Sequence, residues 1–250
     1  MDCPVIIFYE MHLNPTVGNI IHKLMPTLSN YGFKKLAVEF PVTSSFKEVV
    51  KTEKKWAKKY KEDAEDYKMT LKTGKFVDEM IEYTYNNIYL SPPKDSTLEQ
   101  KKTFLSSIQN YLIGKSKSST AKVKILEDLA KYKINYNFIG GKDGVNFDSE
   151  LIKNTKSACD ENKTGIIIYL GINHFEVGKN LRDEGTQILE FYITSVPPES
   201  TKDTPNNNEY LIRNDLIDHD VIVIDLFKNP NLKPAEIIKE YIYDDDYYSL

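Results

Sequence analysis

The apolar positions at the start of the chain form short unbroken runs joined by a helical repeat. Residues 5–9 are continuously apolar, as expected of a parallel strand that is covered on both faces. Pro15 suits the first position of a helix, and apolar residues recur at helical spacing over 17–28 until Gly32 ends the pattern. A second short strand is then indicated over 34–41. Strand, helix and strand in this order predict two parallel strands with a right-handed crossover.

Further apolar runs predict four more strands in the second half of the chain. A helix is predicted between the first two of them, over 148–162. The whole chain, 1–250, is therefore expected to form one α/β domain with a central, mostly parallel sheet flanked by helices. The four runs are INYNFIGGKDG (134–144), TGIIIYLGINH (164–174), ILEFYIT (188–194) and VIVIDLF (221–227).

The stretch 43–133 has a different pattern, because it is rich in lysine and glutamate and lacks strand signals. Trp56, Tyr60 and Tyr67 stand at helical spacing, and the pattern is interrupted by SPPKDS at 91–96 and GKSKSSTAK at 114–122. We expect three or four helices that form a lobe inserted into the α/β domain. A charge run of this kind is usually the solvated face of a helix.

Two segments carry no apolar periodicity. VPPESTKDTPNNNEY, at 196–210, is rich in turn residues, which predicts an exposed loop that a nonspecific protease cuts first. The end of the chain, DDDYYSL at 244–250, is expected to be a frayed terminus, with a recognition or export signal as the alternative.

Composition narrows the classes of partner and compartment. The 33 basic and 37 acidic residues leave a net charge of −4, which argues against a nucleic-acid partner. The apolar runs reach only about seven residues, whereas a membrane span needs about 20. The first residues, MDCPVIIFYE, lack the basic region and cleavage site of a secretory signal peptide. Cytoplasmic synthesis is therefore expected, with export by a specialised secretion system as the alternative.

The cysteine content excludes a disulfide framework and a cysteine-rich zinc site. Cys3 and Cys159 are the only two cysteines of the chain. They are predicted to be free, buried thiols in a reducing compartment.

Ionisable residues follow several of the predicted strands. Glu10 and His12 come directly after the first strand, Glu39 lies at the end of the second, and His174 follows the strand that ends near Gly171. Because ligands of open parallel sheets bind at the carboxyl ends of the strands, we expect these four side chains to meet in one crevice.

The other candidates are expected to be structural. Asp143 follows Gly140 and Gly141 and is predicted to be a turn residue. His22 lies inside the first helix and His219 in an aspartate-rich turn, so neither is expected at the site.

Two imidazoles and two carboxylates support two routes to the same chemistry. They could hold a divalent metal (Mn, Co or Zn) with an open position that lowers the pKa of bound water. Alternatively, a histidine oriented by a glutamate acts as general base on a water, an effect of about 10²–10⁴-fold in rate. Either route predicts a hydrolase acting on an ester or amide bond of a small molecule or peptide.

The order of these motifs resembles the superfamily that contains the erythromycin esterases, the haem-binding ChaN proteins and the Tiki/TraB proteins. The matching pieces are YEMH (9–12), YGFKKLAVE (31–39) and GIIIYLGINHFEVGKNL (165–181), and the helical middle has no counterpart among them. The resemblance implies an α/β fold whose site residues are Glu10, His12, Glu39 and His174.

Members of that superfamily use their site in different ways. The esterases hydrolyse a macrolide lactone with a histidine-activated water, Tiki proteins are metal-dependent proteases, ChaN binds haem, and related folds occur in bacterial toxins. This chain departs from the pattern at Tyr9, where the family has glycine and where a tyrosine is expected to crowd the substrate. Lys23 is the candidate for the basic residue that the family carries on its first helix.

Three functions follow as hypotheses. A hydrolase that uses Glu10, His12, Glu39 and His174 is favoured. The first alternative is a protein that binds haem or another ligand through the same histidines and tyrosines. The second is a non-catalytic secreted effector or toxin component that contacts a protein partner through the helical lobe.

Overall fold

A computed structural model of the chain describes residues 3–10, 15–142, 147–159, 163–194, 221–226 and 228–243. His12, Asp143 and His219 lie outside the described residues, and so do the predicted loop at 196–210 and the end at 244–250. The strands of the described part are β1 (Val5–Glu10), β2 (Phe33–Pro41), β3 (Asn135–Gly140), β4 (Gly165–Gly171), β5 (Ile188–Thr194) and β6 (Ile222–Asp225).

The described strands form one sheet in which every pairing is parallel. Their order is β3-β2-β4-β1-β5-β6. This confirms the predicted α/β fold. Strands β1 and β4 lie in the middle of the sheet, and all of their residues are buried. Burial on both faces explains why these strands read as unbroken apolar runs instead of alternating ones.

Seven α-helices accompany the sheet in the described residues. None of them is both long and apolar enough to cross a bilayer. Short 3₁₀ turns occupy Ala130–Tyr132 and Ile172–His174. The helices are α1 (Thr16–Asn30), α2 (Phe46–Thr73), α3 (Val77–Ile88), α4 (Leu98–Asp128), α5 (Asp148–Ala158), α6 (Glu176–Asp183) and α7 (Pro234–Tyr243).

The helices divide between the two faces of the sheet. Residues of α1, α4 and α7 pack with Phe8 and Tyr169 on what we call the first face. Residues of α5 and α6 pack with Ile7 and Tyr192 on the second face. The chain therefore leaves β1 towards the first face and leaves the adjacent β4 towards the second. Such a reversal between neighbouring strands opens a crevice at their carboxyl ends.

The helical lobe has a buried cluster of its own, contributed by α2, α3 and the first half of α4. Helix α2 begins with a capping box formed by Ser45 and Glu48, and α4 begins with one formed by Thr97 and Gln100. The second half of α4 continues onto the first face, where Leu126 joins the core of the sheet. Helix α4 thus belongs to both the lobe and the α/β core.

The predicted interruption at 114–122 is wrong, because α4 runs through it without a break. Ser116 donates a hydrogen bond of 2.7 Å to the Ala57 carbonyl of α2, so its hydroxyl links two helices instead of ending one. The small side chains also permit close packing on α1: a Cβ added at Gly18 would lie 3.0 Å from the Cβ of Ala121. The serine and lysine run is a packing surface of the helix.

The prediction of free thiols is also wrong, because Cys3 and Cys159 are bonded to each other with their Cα atoms 6.1 Å apart. Cys3 lies two residues before the start of β1, and Cys159 immediately follows α5, which covers the second face. The two residues are 156 positions apart in the chain, so only the packing of α5 on the sheet brings them together.

Candidate functional site

Glu10 ends β1 as a buried carboxylate with two described partners from distant parts of the chain. The Nζ atom of Lys122, on α4, lies 2.7 Å from its Oε1 atom. The hydroxyl of Tyr169, on β4, donates a hydrogen bond to its Oε2 atom. Only 3% of Glu10 is exposed, and a buried carboxylate is tolerated when it is paired and hydrogen-bonded in this way.

We call Glu10, Lys122 and Tyr169 the first group. Their charges are set by burial and by their mutual attraction. Burial alone lowers the pKa of Lys122, but the carboxylates of Glu10, and more weakly Glu53 and Glu39, outweigh it and raise the pKa. The pKa of Tyr169 is raised well above its ordinary value by burial and then by Glu10. Lys122 is therefore an ammonium and Tyr169 a neutral phenol, and both donate to a charged Glu10.

Glu39 and His174 are brought together, as the sequence predicted for them. The Nε2 atom of His174 lies 3.2 Å from the Oε1 atom of Glu39, and the two side chains are 16% and 15% exposed. The other oxygen of Glu39 accepts a 2.9 Å hydrogen bond from the backbone N–H of Gly171. The end of β2 thereby holds the turn that follows β4.

Asp148 joins Glu39 and His174 in what we call the second group. Asp148 is the first residue of α5, and its Oδ1 atom lies 2.7 Å from the Nδ1 atom of His174. Both ring nitrogens thus face a carboxylate. The hydrogen bond to Glu39 is the largest influence on the pKa of His174 and raises it. Burial lowers this pKa, and the hydrogen bond to Asp148 raises it. The resulting pKa of His174 is about 9.

The raised pKa has a chemical consequence that differs from the expectation for a general base. At neutral pH His174 is an imidazolium that donates one hydrogen bond to Glu39 and one to Asp148. In this state it has no lone pair with which to accept a proton from water. It can donate a proton, or it can stabilise negative charge on a bound molecule.

Tyr9 does not face the first group, although a crowding effect was expected there. Its ring is fully buried on the second face, and its hydroxyl donates a 2.6 Å hydrogen bond to Glu190. The same hydroxyl lies 3.2 Å from the carbonyl oxygen of Phe175, the residue that follows His174. Burial raises the pKa of Tyr9, which keeps it a neutral donor. Tyr9 therefore supports the turn that carries His174.

Three residues of the two groups escaped the sequence reasoning. Lys122 lies in the run where the sequence pattern predicts a break in the helix, and the pattern marks Asp148 only as the start of a helix. Tyr169 precedes Gly171 by two positions, which could have indicated its place near the strand end. Lys23, the candidate basic residue of α1, is exposed. The neighbouring residue, His22, contacts α4, where its Nε2 atom lies 2.8 Å from the Oδ2 atom of Asp128.

Three of the four predicted metal ligands, Glu10, Glu39 and His174, belong to the described residues. Among the described residues, no three His, Cys, Asp or Glu side chains are grouped as a metal site. Glu39 and Asp148 share one imidazole, and each occupies a ring nitrogen that a metal would need. Since the fourth ligand, His12, lies outside the described residues, a metal site formed by Glu10, His12, Glu39 and His174 stays a prediction.

Comparison of the chain with protein-family models, with curated proteins and with solved structures returns no match. The resemblance to the erythromycin esterase, ChaN and Tiki/TraB superfamily therefore stays a prediction from the sequence motifs.

Proposed function

We propose that the protein is a hydrolase of ester or amide bonds, with its active site at the carboxyl ends of β1, β2 and β4. The observation that carries the proposal is the pairing of His174 with both Glu39 and Asp148 at this end of the sheet. Glu10 ends the adjacent β1, where its register partner is Gly171 of β4. This position, where the chain leaves neighbouring strands to opposite faces, favours ligand binding.

In the proposed reaction His174 is the proton donor. Its imidazolium protonates the leaving oxygen or nitrogen as the bond to the carbonyl carbon breaks. Glu39 and Asp148 hold the ring in place and favour its return to the charged form by uptake of a proton from solvent. With a pKa of about 9, the His174 imidazolium is a weak acid at neutral pH. Displacement of Glu39 or Asp148 by the substrate would lower this pKa and make His174 a stronger proton donor.

We assign the role of general base to His12, which follows Glu10 by two residues. It would accept a proton from the water that adds to the carbonyl carbon, and would later release that proton to solvent. Glu10 is less suited to this role, because Lys122 and Tyr169 already donate to both of its oxygens. Its buried charge instead contributes to the electrostatic field of the crevice.

The test is hydrolysis of a panel of nitrophenyl esters and aminoacyl nitroanilides by the purified full chain. His12→Ala and His174→Gln should each lower the rate by about 10²–10⁴-fold. His22→Gln is the matched control, because it removes a histidine paired with a carboxylate outside the proposed site. It should keep the wild-type rate.

Thermal melting of each variant separates loss of activity from loss of fold. A wild type that hydrolyses no member of the panel would contradict the proposal. So would a folded His174→Gln variant with the wild-type rate. Metal analysis and a haem titration of the same wild-type sample test the metal-assisted route and the haem-binding alternative.

A further inference from the structure

Two adjoining cavities open in the helical lobe, on residues that the proposed hydrolase site does not use. The first has a volume of about 450 Å³, and five of its lining residues are aromatic: Trp56, Tyr60, Tyr67, Tyr83 and Tyr111. The second, of about 410 Å³, shares Asp63, Tyr67 and Tyr83 with the first. The shared residues make the two cavities neighbouring parts of one aromatic surface.

Helix geometry orders the part of this aromatic surface that α2 contributes. Trp56, Tyr60, Asp63 and Tyr67 recur every three or four residues along α2, which places them on one side of the helix. The rings of Trp56 and Tyr60 stack with centroids 5.4 Å apart. Tyr67 is buried, and its hydroxyl is hydrogen-bonded to Thr84 of α3 at 2.7 Å. This part of the aromatic surface is thus preorganised.

Several of these rings are more exposed than packing in a core requires. Trp56 is 38% exposed and Tyr83 is 43% exposed, although both line the first cavity. Large aromatic side chains that stay accessible around a concavity, with a few polar groups among them, are typical of a ligand site.

The charges of the lining favour a positive ligand. Asp63 lines both cavities and Asp66 lines the second, whereas Lys59 lines the first. Two carboxylates and one ammonium leave the lining with a net negative charge. Aromatic faces add to this preference, because their quadrupole attracts cations. The lobe already holds one cation in this way, since Lys115 Nζ lies 5.7 Å from the ring centroid of Tyr111.

Lys59 does not block the carboxylate permanently. Its Nζ atom lies 3.1 Å from Asp63 across one helical turn, and its side chain is 47% exposed. A pair at this spacing whose lysine is exposed contributes little to stability. A ligand ammonium that also contacts the rings can therefore displace Lys59 into solvent.

We propose that this aromatic surface binds a small organic ammonium ion, with Trp56 and Tyr60 against the cationic group and Asp63 as its counter-charge. The proposal rests on the lobe alone and does not depend on hydrolysis at the strand ends.

Trp56 is the only tryptophan of the chain, so its fluorescence reports directly on the cavity. Choline is titrated into the full chain, and 3,3-dimethylbutanol, which has the same shape without the charge, is titrated in parallel. Choline should give a saturable change, and the neutral compound should bind at least about tenfold more weakly. No saturable change with choline, or equal binding of the two compounds, would overturn the proposal.

Three variants test the sign of the charge that the cavity prefers. Asp63→Asn should weaken choline binding about tenfold, and Lys59→Gln should strengthen it because a competing cation is removed. Glu62→Gln is the control, since Glu62 lies beside Asp63 on α2 but pairs with Lys58. It should leave binding unchanged. Weaker binding in Lys59→Gln would show that the cavity prefers an anion and would overturn the proposal.

Discussion

Raising the pH through the pKa of His174 should destabilise the fold by a calculable amount. The pKa of His174 is about 9 in the folded chain, against 6.5 for an ordinary histidine. Because the folded value is the higher one, the stabilisation is fully present below pH 6.5. It is then lost as the pH rises towards 9.

The magnitude follows from the two pKa values and from the exposure of the partners. At about 1.4 kcal/mol per pH unit, the difference between the two pKa values corresponds to about 3 kcal/mol without screening. Asp148 is 35% exposed, so solvent screens its part of the attraction. We therefore expect a loss of about 1–2 kcal/mol in the free energy of unfolding.

Denaturant unfolding of wild type and His174→Gln at pH 6 and pH 9.5 measures this loss in the free energy of unfolding. Other groups titrate equally in both proteins, so the difference between them isolates His174. An NMR titration of the four histidines gives the pKa itself, with the His174 signal identified by its absence in the variant. Glu39→Gln should lower that pKa more than Asp148→Asn, because Glu39 is the larger influence.

Two results would refute the reasoning. One is a His174 signal that titrates at or below pH 6.5. The other is a His174→Gln variant whose stability falls as steeply as that of wild type over the same pH range.

Three further changes test the packing around the site by denaturant unfolding. Gly178→Ala should cost about 1–3 kcal/mol, because the new methyl group collides with the buried Glu190 carboxylate; wild-type stability would contradict that packing. Glu10→Gln should cost about 3 kcal/mol by leaving Lys122 without its charged partner, and a loss below about 1 kcal/mol would indicate an exposed pair. Cys3→Ser should cost about 2–4 kcal/mol in non-reducing buffer and little in reductant; equal stability of variant and wild type without reductant would argue against the bond.

The sequence alone was sufficient to predict the strands and most of the helices, because these depend on local patterns. Strands buried on both faces need continuous apolar runs, and β1 and β4 have them. The positions of Glu10 and Glu39 at strand ends follow directly from where those runs stop. The same local reasoning failed at 114–122, where polar side chains pack between helices instead of ending one.

Only the tertiary structure decided which side chains meet. The sheet places β4 between β1 and β2, and that order depends on contacts between distant segments. The pairing of Glu10 with Lys122, of His174 with Asp148 and of Cys3 with Cys159 depends on the same contacts. Protonation is decided at this level too, because a pKa depends on burial and on neighbouring charges. The imidazolium state of His174 is thus a property of the folded chain, created when β2 and α5 bring a carboxylate to each side of its ring.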